Sequence, residues 1–357
     1  MNGPHQAAAV VLAAGMGTRM KSDTVKVLHP VLGRSMLRRV LDALFEAGVA
    51  RIVVVVGHQA DLVKAQIGAD VEYARQAKPL GTAHALMQAV PHLADHQGPL
   101  VVACGDTPLI QAQTFADLIS AHVQAKRGAT VLTAELDDPA GYGRIVRDQS
   151  GEVLAIVEHK DADPKQRAIT EINTGTYCFD GPALFDALKK IRPANAQGEY
   201  YLTDALALLR RSGQSVGAQL LPDAGEALGI NDRKQLAEAT QVLKARSHEK
   251  YLAAGVTIVD LETAIIEPEV EIGRDTIIHP FTTLRGKCKV GEGCSIGPLV
   301  TLTAVQVGSK TSIEQTVAEH CEIGAGARIG PFVYLPPGAA VDDHERVGPG
   351  QTRSDEP

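Results

Sequence analysis

The chain has 357 residues, long enough at ~150 residues per domain for two domains that each bury a core. Its formal charge of −7 (35 basic against 42 acidic side chains) excludes the basic surface that non-specific nucleic-acid binding needs, while leaving room for a local phosphate pocket. No apolar run reaches the ~18 residues of a membrane span, and residues 1–6 carry no basic region ahead of the apolar stretch 7–14, so a cytoplasmic protein without a signal peptide is expected.

Along the first half, short aliphatic runs at 8–12, 52–56, 100–103, 130–134, 153–157 and 174–179 read as strands. Amphipathic segments lie between the early ones. In 35–47, Met36, Leu37, Val40, Leu41, Leu44 and Phe45 fall at helical spacing. This alternation predicts an α/β, mostly parallel, Rossmann-like sheet covered on both faces, with ligands at the carboxyl ends of its strands. Residues 231–254 read as a connecting helix with Leu236, Ala239, Val242 and Leu243 on one face, and Gly255 ends it.

A different rhythm follows. Ile266, Ile272, Ile278, Leu284, Val290, Ile296 and Leu302 recur every six residues, and so do Val317, Ile323, Ile329, Leu335, Val341 and Val347. A period of six fits neither a helix nor a single strand. It predicts a short left-handed hexapeptide-repeat β-helix, one inward aliphatic per face. Val307 and Ile313 break the phase, so a bulged or looped coil is expected there. Five cysteines without a Cys-x-x-Cys pair read as reduced thiols acting as small buried hydrophobes. Cys288 and Cys294 share a phase but should lie on different faces of the prism. The predicted organisation is a catalytic domain over 1–231, the helix over 232–254, the β-helix over 255–348 and a flexible tail over 349–357.

The chemistry concentrates early. Leu12-Ala13-Ala14-Gly15-Met16-Gly17-Thr18-Arg19-Met20 follows the first strand directly, and such a glycine-rich turn lets backbone amides approach a phosphate or base. Arg19 and Lys26 supply cations for phosphate charge. Alone, this loop also reads as a plain tight turn, and it matches neither the phosphate-loop nor the dinucleotide spacing. Asp106 is likewise readable as a turn residue, Glu158-His159-Lys160-Asp161 as a solvated charge run, Tyr200-Tyr201 as core packing and the histidines as structural.

Together with Lys26-Val27-Leu28, the loop resembles the signature of the sugar-nucleotide pyrophosphorylases. Further blocks follow in order: Leu80-Gly81-Thr82, Gly105-Asp106-Thr107-Pro108-Leu109, Gly141-Tyr142-Gly143-Arg144-Ile145, Ile156-Val157-Glu158-His159-Lys160-Asp161, Glu171-Ile172-Asn173-Thr174-Gly175, Asn195-Ala196-Gln197-Gly198-Glu199-Tyr200-Tyr201-Leu202-Thr203-Asp204 and Gly229-Ile230-Asn231. Over nearly its whole length the chain resembles the bifunctional N-acetylglucosamine-1-phosphate uridylyltransferase/glucosamine-1-phosphate acetyltransferase family.

The resemblance implies an enzyme that joins UTP and N-acetylglucosamine-1-phosphate into UDP-N-acetylglucosamine, releasing pyrophosphate. Leu12, Ala14, Gly15, Gln76, Gly81 and Thr82 would hold the nucleotide. Gly143, Glu158, Asn173, Tyr201 and Thr203 would hold the sugar phosphate. Asp106 and Asn231 would hold Mg²⁺, with Arg19, Lys26 and Asp106 as the catalytic set. One or two protein oxygens plus substrate phosphates is a set that Mg²⁺ favours. Three positions depart from the family pattern: Val25 where proline is usual, Ala83 where a second glycine is usual, and Cys104 where tyrosine is usual. The alternatives are a transferase for a different sugar phosphate and a non-catalytic assembly or regulatory relative.

The resemblance also implies that in the family the β-helix continues and houses an acetyl-CoA site. Here the pattern Pro-Phe-Ala-Arg-Leu-Arg-Pro-Gly stands as Pro331-Phe332-Val333-Tyr334-Leu335-Pro336-Pro337-Gly338, with both arginines replaced. The expectation is a chain without acetyltransferase activity, whose β-helix serves assembly as a homotrimer.

Overall fold

The computed structural model describes residues 6–149, 151–195 and 197–349. Residues 1–5, part of the N-terminal stretch read above, and 350–357 of the expected tail lie outside the described residues. The contacts divide the chain into two units, residues 1–30 with 34–239 and residues 31–33 with 240–357.

The first unit is built on a nine-stranded sheet. Its strands are β1 (Ala8–Ala13), β2 (Arg51–Val56), β3 (Glu72–Arg75), β4 (Pro99–Cys104), β5 (Ala129–Glu135), β6 (Arg144–Arg147), β7 (Val153–Val157), β8 (Glu171–Asp180) and β9 (Val216–Leu220). The main order is β9-β5-β8-β4-β1-β2-β3, with β6 pairing β8 and β7. Strands β1, β2, β3 and β4 run parallel, as do β5 and β9, whereas β8 runs antiparallel to β4 and β5. The central strands are nearly continuous Val, Ala, Ile and Leu because helices cover both faces.

Chain order places the site. From β1 the path goes through α1 (Met36–Glu46) to β2 on one side, then α2 (Ala60–Ile67) to β3. It returns through α3 (Thr82–Ala89) to β4 on the other side of β1. The loops leaving β1 and β4 therefore diverge, and a crevice opens at the carboxyl ends of these two strands. Ser35 caps α1 by accepting from the Arg38 amide, and α1 buries Met36, Leu37, Val40, Leu41 and Leu44.

The helix over Arg233–Ala253 starts behind Asp232, whose carboxylate accepts from the Gln235 amide, and Gly255 follows it. Its buried positions correct the sequence reading. Ala239 is buried, but Leu236, Val242 and Leu243 are only half covered, and Lys244, His248 and Tyr251 are buried instead. Their polar ends explain this: the Lys244 ammonium donates to the Glu262 carbonyl and the Tyr251 hydroxyl to that of Val270 at 2.7 Å.

The second unit stacks two- to four-residue strands into three parallel sheets of six, five and five strands, the architecture of a hexapeptide-repeat left-handed β-helix. Every member of the series from Ile266 to Leu302 faces inward. The irregular region is a contraction, not the expected bulge or loop. Val290 pairs with Val307, Leu302 with Ala318, and Val307 with Ile323, so inward residues stand five apart at 302–307, 313–318 and 318–323. The inward side chain is thus the fully buried Ala318, and Val317 is 42% exposed. The cysteines are all free, and those of this unit are buried. Among the described residues no helix is long and apolar enough to cross a membrane.

Candidate active site

Four charged or polar side chains distant in sequence meet at the β1–β4 crevice. The Lys26 ammonium lies 2.5 Å from Asp106 Oδ2 and donates to Asn231 Oδ1 at 2.8 Å, and Arg19 donates to the same Asn231 oxygen at 2.8 Å. Asp106 arrives on the turn after β4, where the Gly105 amide donates to the Leu12 carbonyl at 2.9 Å and ties that turn to the end of β1. The Ile230 amide donates to the Asp106 carbonyl at 2.9 Å, bringing Asn231 alongside. Asn231 is held in turn by Gln235, which accepts from its amide at 2.7 Å.

The glycine loop is shaped around the lysine. Gly17 sits at φ +62°, and a Cβ there would fall 2.5 Å from the Lys26 Cβ, so only glycine lets the loop lie against this stem. Val25 keeps φ at −54°, the value a proline would fix, so the departure from the family pattern leaves the local path intact.

A cleft of about 290 Å³ opens beside the charged cluster. Leu12, Ala14, Gly15, Gln76, Gly81 and Thr82 all line it, as do Lys26 and Asp106. Gln76 is buried, its amide donating to the Gly81 carbonyl at 3.1 Å and lying 3.1 Å from His84 Nδ1. Thr82 accepts from the Leu202 amide at 3.0 Å. Gly81 has φ +109°, and a Cβ there would strike the Tyr200 carbonyl oxygen at 2.5 Å. Ala83 is fully buried in the first turn of α3 and its amide donates to the Tyr200 carbonyl, so the extra methyl of this departure is accommodated in the core. Cys104 lines the cleft with its thiol pushed up to about 12 by burial and then by the Asp106 charge, so it stays protonated.

The residues assigned to the sugar phosphate form a second group. Gly143 is tight against Ile156, Asn173 and Glu158, and its carbonyl accepts from the Asn173 amide at 2.9 Å. Asn173 stands where β8 slips its register against β5 between Asn173 and Tyr177, with Gly175 at φ +78°. Such a bulge re-aims side chains. Its amide donates to the Tyr177 hydroxyl at 2.7 Å, and its side-chain oxygen accepts from the Gly175 amide at 3.0 Å. Burial, then the Asp161 and Asp204 charges, hold the Glu158 carboxyl above its usual range, while a bond from Thr203 opposes the shift. The Tyr201 hydroxyl accepts from Gln197 at 2.5 Å.

Glu199, Pro79 and Cys104 also line the cleft, and Tyr142 lies near enough to Asp106 to feel its charge. Sequence reasoning assigns these no role, and the only signal for Glu199 and Tyr142 is their place inside the motif blocks. Among the described residues no three His, Cys, Asp or Glu side chains form a metal cluster.

A nucleotidyl transferase family model matches residues 8–229, and a bacterial transferase hexapeptide model (six repeats) matches 265–304. The chain is 49% identical over 340 residues to a bifunctional protein GlmU of Geobacillus sp. (strain WCH70), covering 95% of this chain and 74% of that protein. The figure is 51% over 340 residues, with the same coverage, for the protein of that name from Geobacillus thermodenitrificans (strain NG80-2). For the one from Bacillus subtilis (strain 168) it is 46% over 312 residues, covering 87% and 68%.

Proposed function

The chain belongs to the nucleotidyl transferase family of the GlmU proteins and is a nucleotidyltransferase, and on that premise we propose that it makes UDP-N-acetylglucosamine from UTP and N-acetylglucosamine-1-phosphate. The observation that carries this is the convergence of Arg19, Lys26, Asp106 and Asn231 on the mouth of the cleft. A phosphate oxygen of the sugar phosphate attacks the α-phosphorus of UTP. The new P–O bond forms as the bond to the β-phosphate bridging oxygen breaks, and pyrophosphate leaves. The nucleophile is already anionic and needs no general base. The chain's task is alignment and charge neutralisation, for which Lys26 and Arg19 are placed beside the cleft.

The nucleobase edge supports uridine. Both hydrogens of the Gln76 amide face acceptors, which leaves Oε1 as an acceptor on the cleft, and the Gly81 amide has no acceptor among the described residues. One donor beside one acceptor complements the C=O and N–H of a uracil imide. Cytosine offers the reverse pair.

Asp106 Oδ2 and Asn231 Oδ1 both contact one ammonium, so two oxygens already converge on a cation, a donor set suited to Mg²⁺. Bound there, Mg²⁺ would supply further neutralisation of phosphate charge. The reading is tested by pyrophosphate release with UTP, Mg²⁺ and a panel of sugar-1-phosphates. Release with N-acetylglucosamine-1-phosphate that vanishes in Asp106→Ala supports it. Release with a different sugar favours the related transferase, and none with any sugar favours a non-catalytic relative.

The hexapeptide repeats are present, and we read them as an assembly platform without acetyl transfer. Tyr334 and Pro336 stand where the family pattern has arginines, so neither offers a cation to a sugar phosphate. Acetylation of glucosamine-1-phosphate by acetyl-CoA would overturn this. One corner of the prism exposes Phe281 (59%), Leu299 (56%) and Phe332 (70%), with Gln315 in the coil between the last two, apolar surface that a trimer would cover. Ultracentrifugation returning a monomer would reject the trimer.

A further inference from the structure

We propose that His84 is a positioning residue for base selection: it fixes the orientation of the Gln76 amide and thereby keeps the cleft tuned to uridine over cytidine. The inference rests on the uridine reading above and assigns a residue to it.

Gln76 is 7% exposed, so its amide must find partners inside the protein. Two stand on one side of it. Nε2 lies 3.1 Å from the Gly81 carbonyl oxygen and 3.1 Å from His84 Nδ1. A carbonyl oxygen only accepts, so the amide nitrogen, not its oxygen, faces Gly81. The second amide hydrogen then points at His84, whose Nδ1 must present a lone pair and whose ring proton must sit on Nε2. Gln88 does not contest this tautomer. Its nitrogen is 3.5 Å from His84 Nε2 and donates instead to the His84 carbonyl at 3.0 Å. His84 is itself fixed as the third residue of α3, with its ring 6.1 Å from that of Tyr200.

With both amide hydrogens engaged, turning the amide over would break two bonds and set Gln76 Oε1 against the Gly81 carbonyl. Without His84 only one bond is broken, and the amide can pivot to present a hydrogen to the cleft. A hydrogen there suits cytosine N3 and opposes uracil N3–H. His84 therefore acts on the base through Gln76 and touches no reacting atom.

The test is kcat/KM with UTP and with CTP for wild type, His84→Ala and His84→Asn, using N-acetylglucosamine-1-phosphate and Mg²⁺. One lost hydrogen bond corresponds to about five- to tenfold in affinity. His84→Ala should raise KM for UTP by about that factor, leave kcat within about twofold, and lower the UTP-to-CTP ratio by a similar factor. His84→Asn, whose side-chain oxygen supplies an acceptor near the Nδ1 position, should restore the ratio. A ratio unchanged in His84→Ala, or lost equally in both variants, overturns the role of His84 while the uridine reading stands. Wild-type protein that prefers CTP or a purine nucleotide overturns the uridine reading itself, and this inference with it.

Discussion

Replacing Lys26 with methionine separates charge from packing at the site. Methionine keeps an unbranched stem to lie against Gly17, where any added Cβ would come within 2.5 Å, and removes only the ammonium. The Lys26 side chain is 10% exposed and its ammonium is shared between Asp106 at 2.5 Å and Asn231 at 2.8 Å, so it is held in place before substrate arrives. Preorganised groups of this kind contribute about 3–4 kcal/mol when negative charge develops on transferring phosphate, which is roughly a hundred- to thousandfold in kcat. The folded state should lose much less. Asp106 is 26% exposed and can recover water, so its unpaired carboxylate should cost about 1 kcal/mol, not the several of a sealed ion pair. The expected signature is a turnover of pyrophosphate release reduced by at least about a hundredfold, with a thermal midpoint within a few degrees of wild type. Turnover within about fivefold of wild type would refute the assignment of Lys26 as a phosphate cation.

Glu226 is 4% exposed, and its carboxylate accepts from the Gln111 amide and side chain and the Thr114 hydroxyl, capping α4 (Ala112–Gln124) from a remote segment. Glu226→Ala strands these donors and should cost about 2–4 kcal/mol by chemical denaturation; a loss below about 1 kcal/mol contradicts the cap. Gly81→Ala puts a methyl 2.5 Å from the Tyr200 carbonyl at φ +109°, and should weaken UTP binding in calorimetry by at least about tenfold through displacement of both loops. The Glu158 carboxyl, raised by burial and by Asp161 and Asp204, binds protons more readily folded than unfolded, so its contribution to stability falls as pH rises through its folded pKa. Glu158→Gln should therefore melt above wild type at neutral pH, with the gap closing as pH falls to the ordinary glutamate value of 4.5, and a gap that persists there contradicts the reasoning.

The period of six announced the β-helix because each coil places one side chain per face inward, and a strict geometric repeat leaves a strict sequence repeat. The same reading expects a bulge or loop at Val307 and Ile313, where the coil instead contracts. Five-residue steps shift which residue faces inward, and Val317 is more hydrophobic than the Ala318 that is actually buried. In the Arg233–Ala253 helix the buried stripe of Lys244, His248 and Tyr251 is invisible to hydrophobic spacing, because backbone carbonyls of the 260–270 segment accept from its Lys244 and Tyr251 ends. Strands β3, β6 and β9 escaped for a related reason. They are edge or outlying strands with polar or exposed residues, whereas β1, β2 and β4 are continuous aliphatic runs. The cations and carboxylates of the site were readable as chemistry from the motif order. Glu226 and His84 were not, since their roles exist only through partners 115 and 8 positions away.

Why the site gathers residues from such separated positions follows from one topological fact. Strand β1 has neighbours reached by opposite turns of the chain, β2 directly through α1 and β4 only after β3 and α3. The loop after β1 therefore carries Gly15, Arg19 and Lys26 away from the loop after β4, which carries Asp106, and the gap between them becomes the cleft. That gap has no ladder of its own to hold it. It is spanned by the Gly105–Leu12 backbone bond at its floor and by Lys26, which reaches across to Asp106 and Asn231 at its rim. The Arg233 guanidinium adds a further tie to the first loop, donating to the Met20 carbonyl at 3.2 Å just beyond Arg19. The charged cluster is thus both the chemistry and the closure of the crevice, so residues far apart in the chain must be retained together.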